Sequence, residues 1–282
     1  MTKKTYGGLD RFRLIAAALV VTIHTSPLAD LSPAADFVLT RVLARAAVPF
    51  FLMVSGFFLF PKTADGRPGP DRLTPFIKKT ALVYLLATLL YLPINIYAGV
   101  AESWRSVPVL FKDIVFDGTF FHLWYLPAAI IGAAIVRLLL NSLRTGQALA
   151  VCLLLYAVGL LGDSYYGLAE RLPALQAMYG ALFKAFDYTR NGLFMAPVFL
   201  ALGAMLARRE PLPLKTGLVG LGACLALMLA EGLLLRFFEL QRHDSMYVLL
   251  PACLYFLFSS LLHWGGKGGR FAHRGSNALR VG

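Results

Sequence analysis

Long apolar runs broken by short polar stretches dominate the chain. A helix needs about 20 mostly apolar residues to cross a bilayer core of about 30 Å. Eight segments reach that length with their flanks: 12–29, 42–60, 76–98, 122–140, 147–162, 191–207, 214–236 and 246–264. The fifth and sixth are the shortest. A further stretch, 171–186, is edged by Glu170, Arg171, Lys184 and Asp187 and reads as an amphipathic helix lying on the membrane or capping the bundle. Between the second and third spans, Pro61–Pro75 holds Gly66, Pro68, Gly69 and Pro70, a turn-rich connector. The pattern predicts an all-α polytopic transmembrane bundle of about eight spans over residues 1–264, followed by a polar, glycine-rich tail over 265–282.

Composition narrows the class. Hydrophobic residues make up 58% of the 282 positions and charged residues 15%. A soluble domain is about 45–50% apolar and about 25% charged. A soluble enzyme, a disordered chain and a secreted disulfide scaffold are therefore excluded. Cys152, Cys224 and Cys253 all sit in apolar runs and read as small buried hydrophobes. The first apolar stretch reads as an uncleaved span, since a small-residue cleavage site is not evident.

Charge gives direction. With both termini in the cytoplasm, 18 of the 27 basic residues fall on the inner side. The positive-inside rule favours that orientation. The net charge of +12 is then a topology signal, and nucleic acid is not an expected partner. Trp104, Trp124 and Trp264 fall near predicted span ends, where amphipathic rings prefer to sit.

Polar residues inside apolar runs carry the functional signal, because a charge at mid-bilayer costs at least ~2.5–3.5 kcal/mol. In Asp10–His24, Arg13 and His24 stand 11 residues apart. That is close to three helical turns, so the two side chains share a face, roughly 16 Å apart along the axis. One face would present a cation near the cytoplasmic rim and an imidazole deeper in, where its pKa suits general-base chemistry. The plainer alternative makes Arg13 a topology anchor and His24 a packing residue. Pro49 is expected to kink the second span, and Ser55-Gly56 to permit close helix approach. Arg41 and Arg45 share a face at the outer end of that span. Lys78 and Lys79 open the third span, as topology signals or phosphate contacts. His122, beside Trp124 and Tyr125, is an outer-vestibule or aromatic-belt residue. Arg190 and Asn191 open the sixth span. Glu231 lies in the seventh and is expected to pair with Arg190. Asp244 precedes the eighth. No phosphate-binding glycine loop, HExxH or CxxC occurs, and no metal site is expected; Gly265–Gly269 follows a span rather than a strand, so it is not a nucleotide loop.

Four stretches carry a family likeness: Leu9–His24, Val48-Pro-Phe-Phe-Leu-Met-Val-Ser-Gly-Phe57, His122-Leu-Trp-Tyr-Leu126 and Thr189-Arg-Asn-Gly-Leu-Phe194, extended by Asp244-Ser-Met-Tyr247. The chain resembles the acyltransferase 3 family of bacterial inner-membrane acyltransferases. Within it, the chain looks closest to the membrane domain of vancomycin-resistance-type serine racemases. The likeness implies a multi-pass protein of the bacterial cytoplasmic membrane, surrounded by lipid. It would transfer an acyl group, often acetyl, from cytoplasmic acyl-CoA to a hydroxyl of a cell-surface glycan, lipid or peptidoglycan-related acceptor. His24 matches the family's catalytic histidine and Arg13 its essential arginine. Arg13, Lys78 and Lys79 would meet the CoA phosphates; His122, Arg190, Asn191 and Glu231 would line the acceptor side. The family opens its third span with an Arg-x-x-Arg pair, where Phe76-Ile-Lys-Lys-Thr stands here, and lysine lacks the bidentate fork. The family core also carries one further pair of spans, and no racemase domain follows, so racemisation is not expected. The rival expectations are a transporter for a serine-like amino acid and an inactive remnant.

Overall fold

The computed structural model describes residues 6–61 and 71–264, and the described residues contain helices and turns but no strand. The expected cytoplasmic tail, 265–282, and most of the connector lie outside them. Among the described residues the main helices are α1 Gly7–Thr25, α2 Pro33–Leu59, α3 Leu73–Tyr97, α4 Tyr125–Ser142, α5 Thr145–Leu161, α6 Pro173–Leu182, α7 Ala196–Leu206, α8 Leu214–Phe237 and α9 Leu250–Leu261. Each of the eight predicted segments overlaps one of them. By length and composition, α2, α3, α4 and α8 could each cross a membrane, whereas α5, α7 and α9 are shorter apolar helices. Within the stretch 171–186 the helix is α6, confined to Pro173–Leu182.

Burial defines the layers. Every residue of α7 is buried, so α7 is the bundle axis. It packs on α2 through reciprocal glycines. A Cβ on Gly56 would lie 2.1 Å from the Leu200 carbonyl oxygen, and one on Gly203 would lie 2.1 Å from that of Met53. The expected close approach at Ser55-Gly56 is therefore present, and small residues are what let membrane helices draw together without a hydrophobic drive. On the periphery, α3 exposes Leu82, Leu85, Leu86, Leu89 and Leu90, and α8 exposes Leu218, Val219, Leu227 and Leu234. Such rows are unstable in water and natural against acyl chains. The three cysteines are free and buried.

Most predicted starts shift by a few residues, and three of them reveal irregular backbone. The second begins at Pro33 rather than 42, because the chain is already helical there: a π segment, Phe37–Val42, runs into a 3-10 turn, Leu43–Ala46, before the α-helix from Ala47. Pro49 has no N–H to offer the Arg45 carbonyl, which favours a changed winding one turn upstream. The fourth span becomes helical only at Tyr125, and the sixth only at Ala196. The irregular lead-ins, 118–124 and 187–195, pack against protein. A Cβ on Gly192 would touch Ile131 and Ala128 of α4. Non-helical backbone at membrane depth persists only where protein or a polar cavity shelters it.

The two described ends meet at one end of the bundle, where the Gly8 N–H donates to the Trp264 carbonyl at 2.9 Å.

Candidate functional site

The segment 121–125 runs beside α1 and links its two polar levels. At the upper level the His24 ring centroid lies 5.3 Å from that of Phe121 and 6.1 Å from that of His122. The charges of Arg190 and Arg45 both reach His24. At the lower level Arg13 pairs with Asp10 at 2.5 Å and lies 5.9 Å from the Phe58 ring centroid. Its charge reaches Tyr125, whose hydroxyl is hydrogen-bonded to Ser55. Arg13 thus touches α2 at Phe58 and its charge reaches Tyr125, while His24 touches Phe121 and His122 of the same segment. Neither is sealed in apolar packing: His24 is exposed and the Arg13 side chain is 24% exposed.

Four segments build the surroundings of His24. Arg45 and Arg41, one turn apart on α2, both pair with Asp244, Arg41 at 3.4 Å. Asp244 is held in place by its own loop. The Asp163 carboxylate accepts from the backbone N–H of Ser245 at 2.8 Å and of Met246 at 3.0 Å, and from the Ser164 hydroxyl at 3.0 Å. Tyr247 donates to the Arg41 carbonyl at 2.7 Å, fastening the loop to the π segment of α2. Arg190 lies 4.3 Å from the Tyr188 ring centroid and 5.1 Å from that of Trp124. Its loop is fixed by Asp117, which accepts from the N–H of Asp187 and of Tyr188. Burial raises the Asp163 and Asp117 carboxyls to about 6. Burial, then the neighbouring Arg242 and Arg190, push the His243 imidazole down to about 4.

Two expected acceptor-side residues have structural work instead. Glu231 does not pair with Arg190. Its carboxylate accepts from the Tyr165 hydroxyl at 2.8 Å and from the N–H groups of Val248 and Leu249 at 2.7 and 3.3 Å. These are the open donors at the start of α9, which attract a negative charge. Asn191 is fully buried; its Nδ2 donates to the Tyr188 carbonyl and its Oδ1 accepts from Leu193 and Phe194 N–H, forming its own turn.

At the opposite end, the last carbonyls of α2 are capped by cations, Phe58 by Arg72 at 2.9 Å and Phe60 by Arg208 at 3.2 Å. Cations belong at a helix C-terminus. Arg72 therefore meets the same phenylalanine that flanks Arg13. Lys78 and Lys79 are exposed on the first turns of α3.

Sequence reasoning missed Asp163, Asp117, Arg72 and the bridging part of Tyr125. A single aspartate after a helix has no spacing signature. Arg72 was legible only as a loop charge.

These features define a helical membrane protein with a group of polar and aromatic side chains beside its first helix. The chain belongs to the Acyltransferase domain family (acyltransferase 3), which it matches over residues 6–279. It is 46% identical over 268 residues to an amino-acid racemase of Enterococcus faecalis, a match covering 95% of this chain and 37% of that protein. A serine/alanine racemase of Enterococcus gallinarum is 40% identical over 261 residues, 91% of this chain and 37% of that protein. The chain thus spans little more than a third of the curated relatives it matches. No solved structure matches it.

Proposed function

We propose that the protein transfers an acyl group, acetyl in the simplest case, from cytoplasmic acyl-CoA to a hydroxyl presented at the outer side of the bacterial cytoplasmic membrane, on an envelope glycan, lipid or other small acceptor. The observation that supports this reading is the position of Arg13 and His24 on α1, where the charge of Arg13 reaches Tyr125 and the His24 ring lies beside Phe121 and His122. Arg13 binds a CoA phosphate, aided by Arg72 and by Lys78 and Lys79 at the basic end of the bundle. The pantetheine arm, an extended flexible chain, carries the thioester up the face of α1. His24 takes the proton of the acceptor hydroxyl, whose oxygen attacks the thioester carbonyl. The carbon–sulfur bond breaks, and the CoA thiolate receives that proton back from His24. His122 stands beside His24 and steers the acceptor. Three spans with irregular outer ends suit such a path, and they suit a transporter as well. Purified protein in proteoliposomes distinguishes the two. Acyl transfer requires release of CoA thiol from acetyl-CoA in the presence of envelope extract. Uptake of labelled serine without thiol release would replace this reading with transport.

A further inference from the structure

The polar residues around His24 are cationic in excess and incompletely paired. Arg41, Arg45 and Arg190 stand against Asp244 and Asp163, and Asp244 already answers two of the arginines. Arg190 forms no ion pair among the described residues. It rests on two aromatic faces and shares a hydrogen bond with Tyr188, which leaves most of its five donors unused.

Two atoms in the same cluster are buried without any partner. One is Arg45 Nε, on a side chain only 10% exposed. The other is Asp163 Oδ2, on a residue that is 0% exposed. The charges of Arg45, Arg190 and Asp163 act on one another, so these groups are neighbours. Buried polar atoms nearly always find partners, and an unsatisfied one calls for an explanation. Here one orphan is a donor and the other an acceptor, a pairing that a ligand with both an anion and a hydroxyl would complete.

Building on the acyl-transfer reading, we infer that the acceptor carries an anionic group, a carboxylate or a phosphate, which Arg190 and Arg45 Nε hold beside His24. A guanidinium edge fits either group bidentately. Asp163 Oδ2 accepts a hydroxyl proton of the same molecule and orients it. Arg190 is a positioning and specificity residue, since it fixes the acceptor while the proton moves at His24.

The test reads binding without acyl-CoA, so it stands or falls independently of acyl transfer. Trp104→Phe with Trp264→Phe leaves Trp124, under Arg190, as the single tryptophan. Its fluorescence is titrated in nanodiscs of neutral lipid at constant ionic strength with glycerol, glycerate and glycerol 3-phosphate. A saturable change with one or both anions and none with glycerol is expected, the stronger anion naming the group. Arg190→Gln should weaken that binding roughly tenfold or more, and Arg190→Lys should keep part of it. Should Arg190→Gln not fold, Arg190→Lys and Arg45→Lys provide the comparison, each expected to weaken anion binding. Equal responses to glycerol and the anions, or unchanged anion affinity in the folded arginine variants, would overturn the inference and leave a trapped water as the occupant.

Discussion

The imidazole of His24 stands 6.1 Å from that of His122, brought there from a segment 98 residues further along the chain. The pair is assembled because 118–124 turns inward before α4 begins at Tyr125. His24→Ala should therefore abolish acyl transfer, by about 10²–10⁴-fold for loss of a general base. His122→Ala should lower it less and mainly raise the acceptor KM. Steady-state kinetics with detergent-solubilised protein, checked for unchanged membrane insertion, decides between these effects.

Arg13 should govern the donor. Arg13→Ala is expected to weaken acetyl-CoA binding about tenfold or more, as loss of a charged hydrogen-bonding partner does. The exposed Lys78→Ala and Lys79→Ala should each cost only severalfold and act chiefly through the salt dependence. Calorimetric titration of acetyl-CoA into each variant at two salt concentrations measures both.

Much of this was legible in the chain. The Arg13–His24 spacing needs only the helical period, and Gly56 beside Ser55 announces a close contact. Other parts were not. The π and 3-10 turns of α2 have helical composition, so nothing in residues 37–46 betrays them. The pairing of Glu231 with Arg190 was inferred from depth alone, but the nearer donors at Val248, Leu249 and Tyr165 capture that carboxylate. Asp163 is silent in sequence because its partners lie some eighty residues away.

Glu231 is thus a structural residue. Glu231→Ala leaves the Tyr165 hydroxyl and two N–H groups without their acceptor, each worth about 1–3 kcal/mol when buried. Thermal unfolding in detergent should show a large loss of stability, and Glu231→Gln a smaller one. An unchanged midpoint for Glu231→Ala would contradict this assignment.

Packing of α2 on α7 makes a separate prediction. Gly56→Ala and Gly203→Ala each drive a methyl into a backbone carbonyl that cannot step aside. Each should destabilise by about 1–3 kcal/mol, read from the same unfolding assay, whereas Gly146→Ala, which meets open space, should not.

Asp163 makes stability depend on pH. Burial raises its carboxyl from 3.8 to about 6. The folded state then holds more protons than the unfolded state between those values. Its contribution to stability is complete below pH 3.8 and declines as pH rises toward about 6, then stays level. Asp163→Asn should remove this slope, so the difference in unfolding midpoint between the two proteins should change across that window. A constant difference would place the Asp163 carboxyl at its ordinary value.

Vectorial transfer puts the central claim to its most direct trial. Radiolabelled acetyl-CoA is sealed on the side of the vesicle that carries the basic end of the bundle, with envelope extract on the other. Wild-type protein should move label onto acceptor outside while free CoA thiol accumulates within, and His24→Ala should do neither. Label crossing at the wild-type rate with His24→Ala, or no thiol released by the wild type, would contradict the acyl-transfer role of this helix.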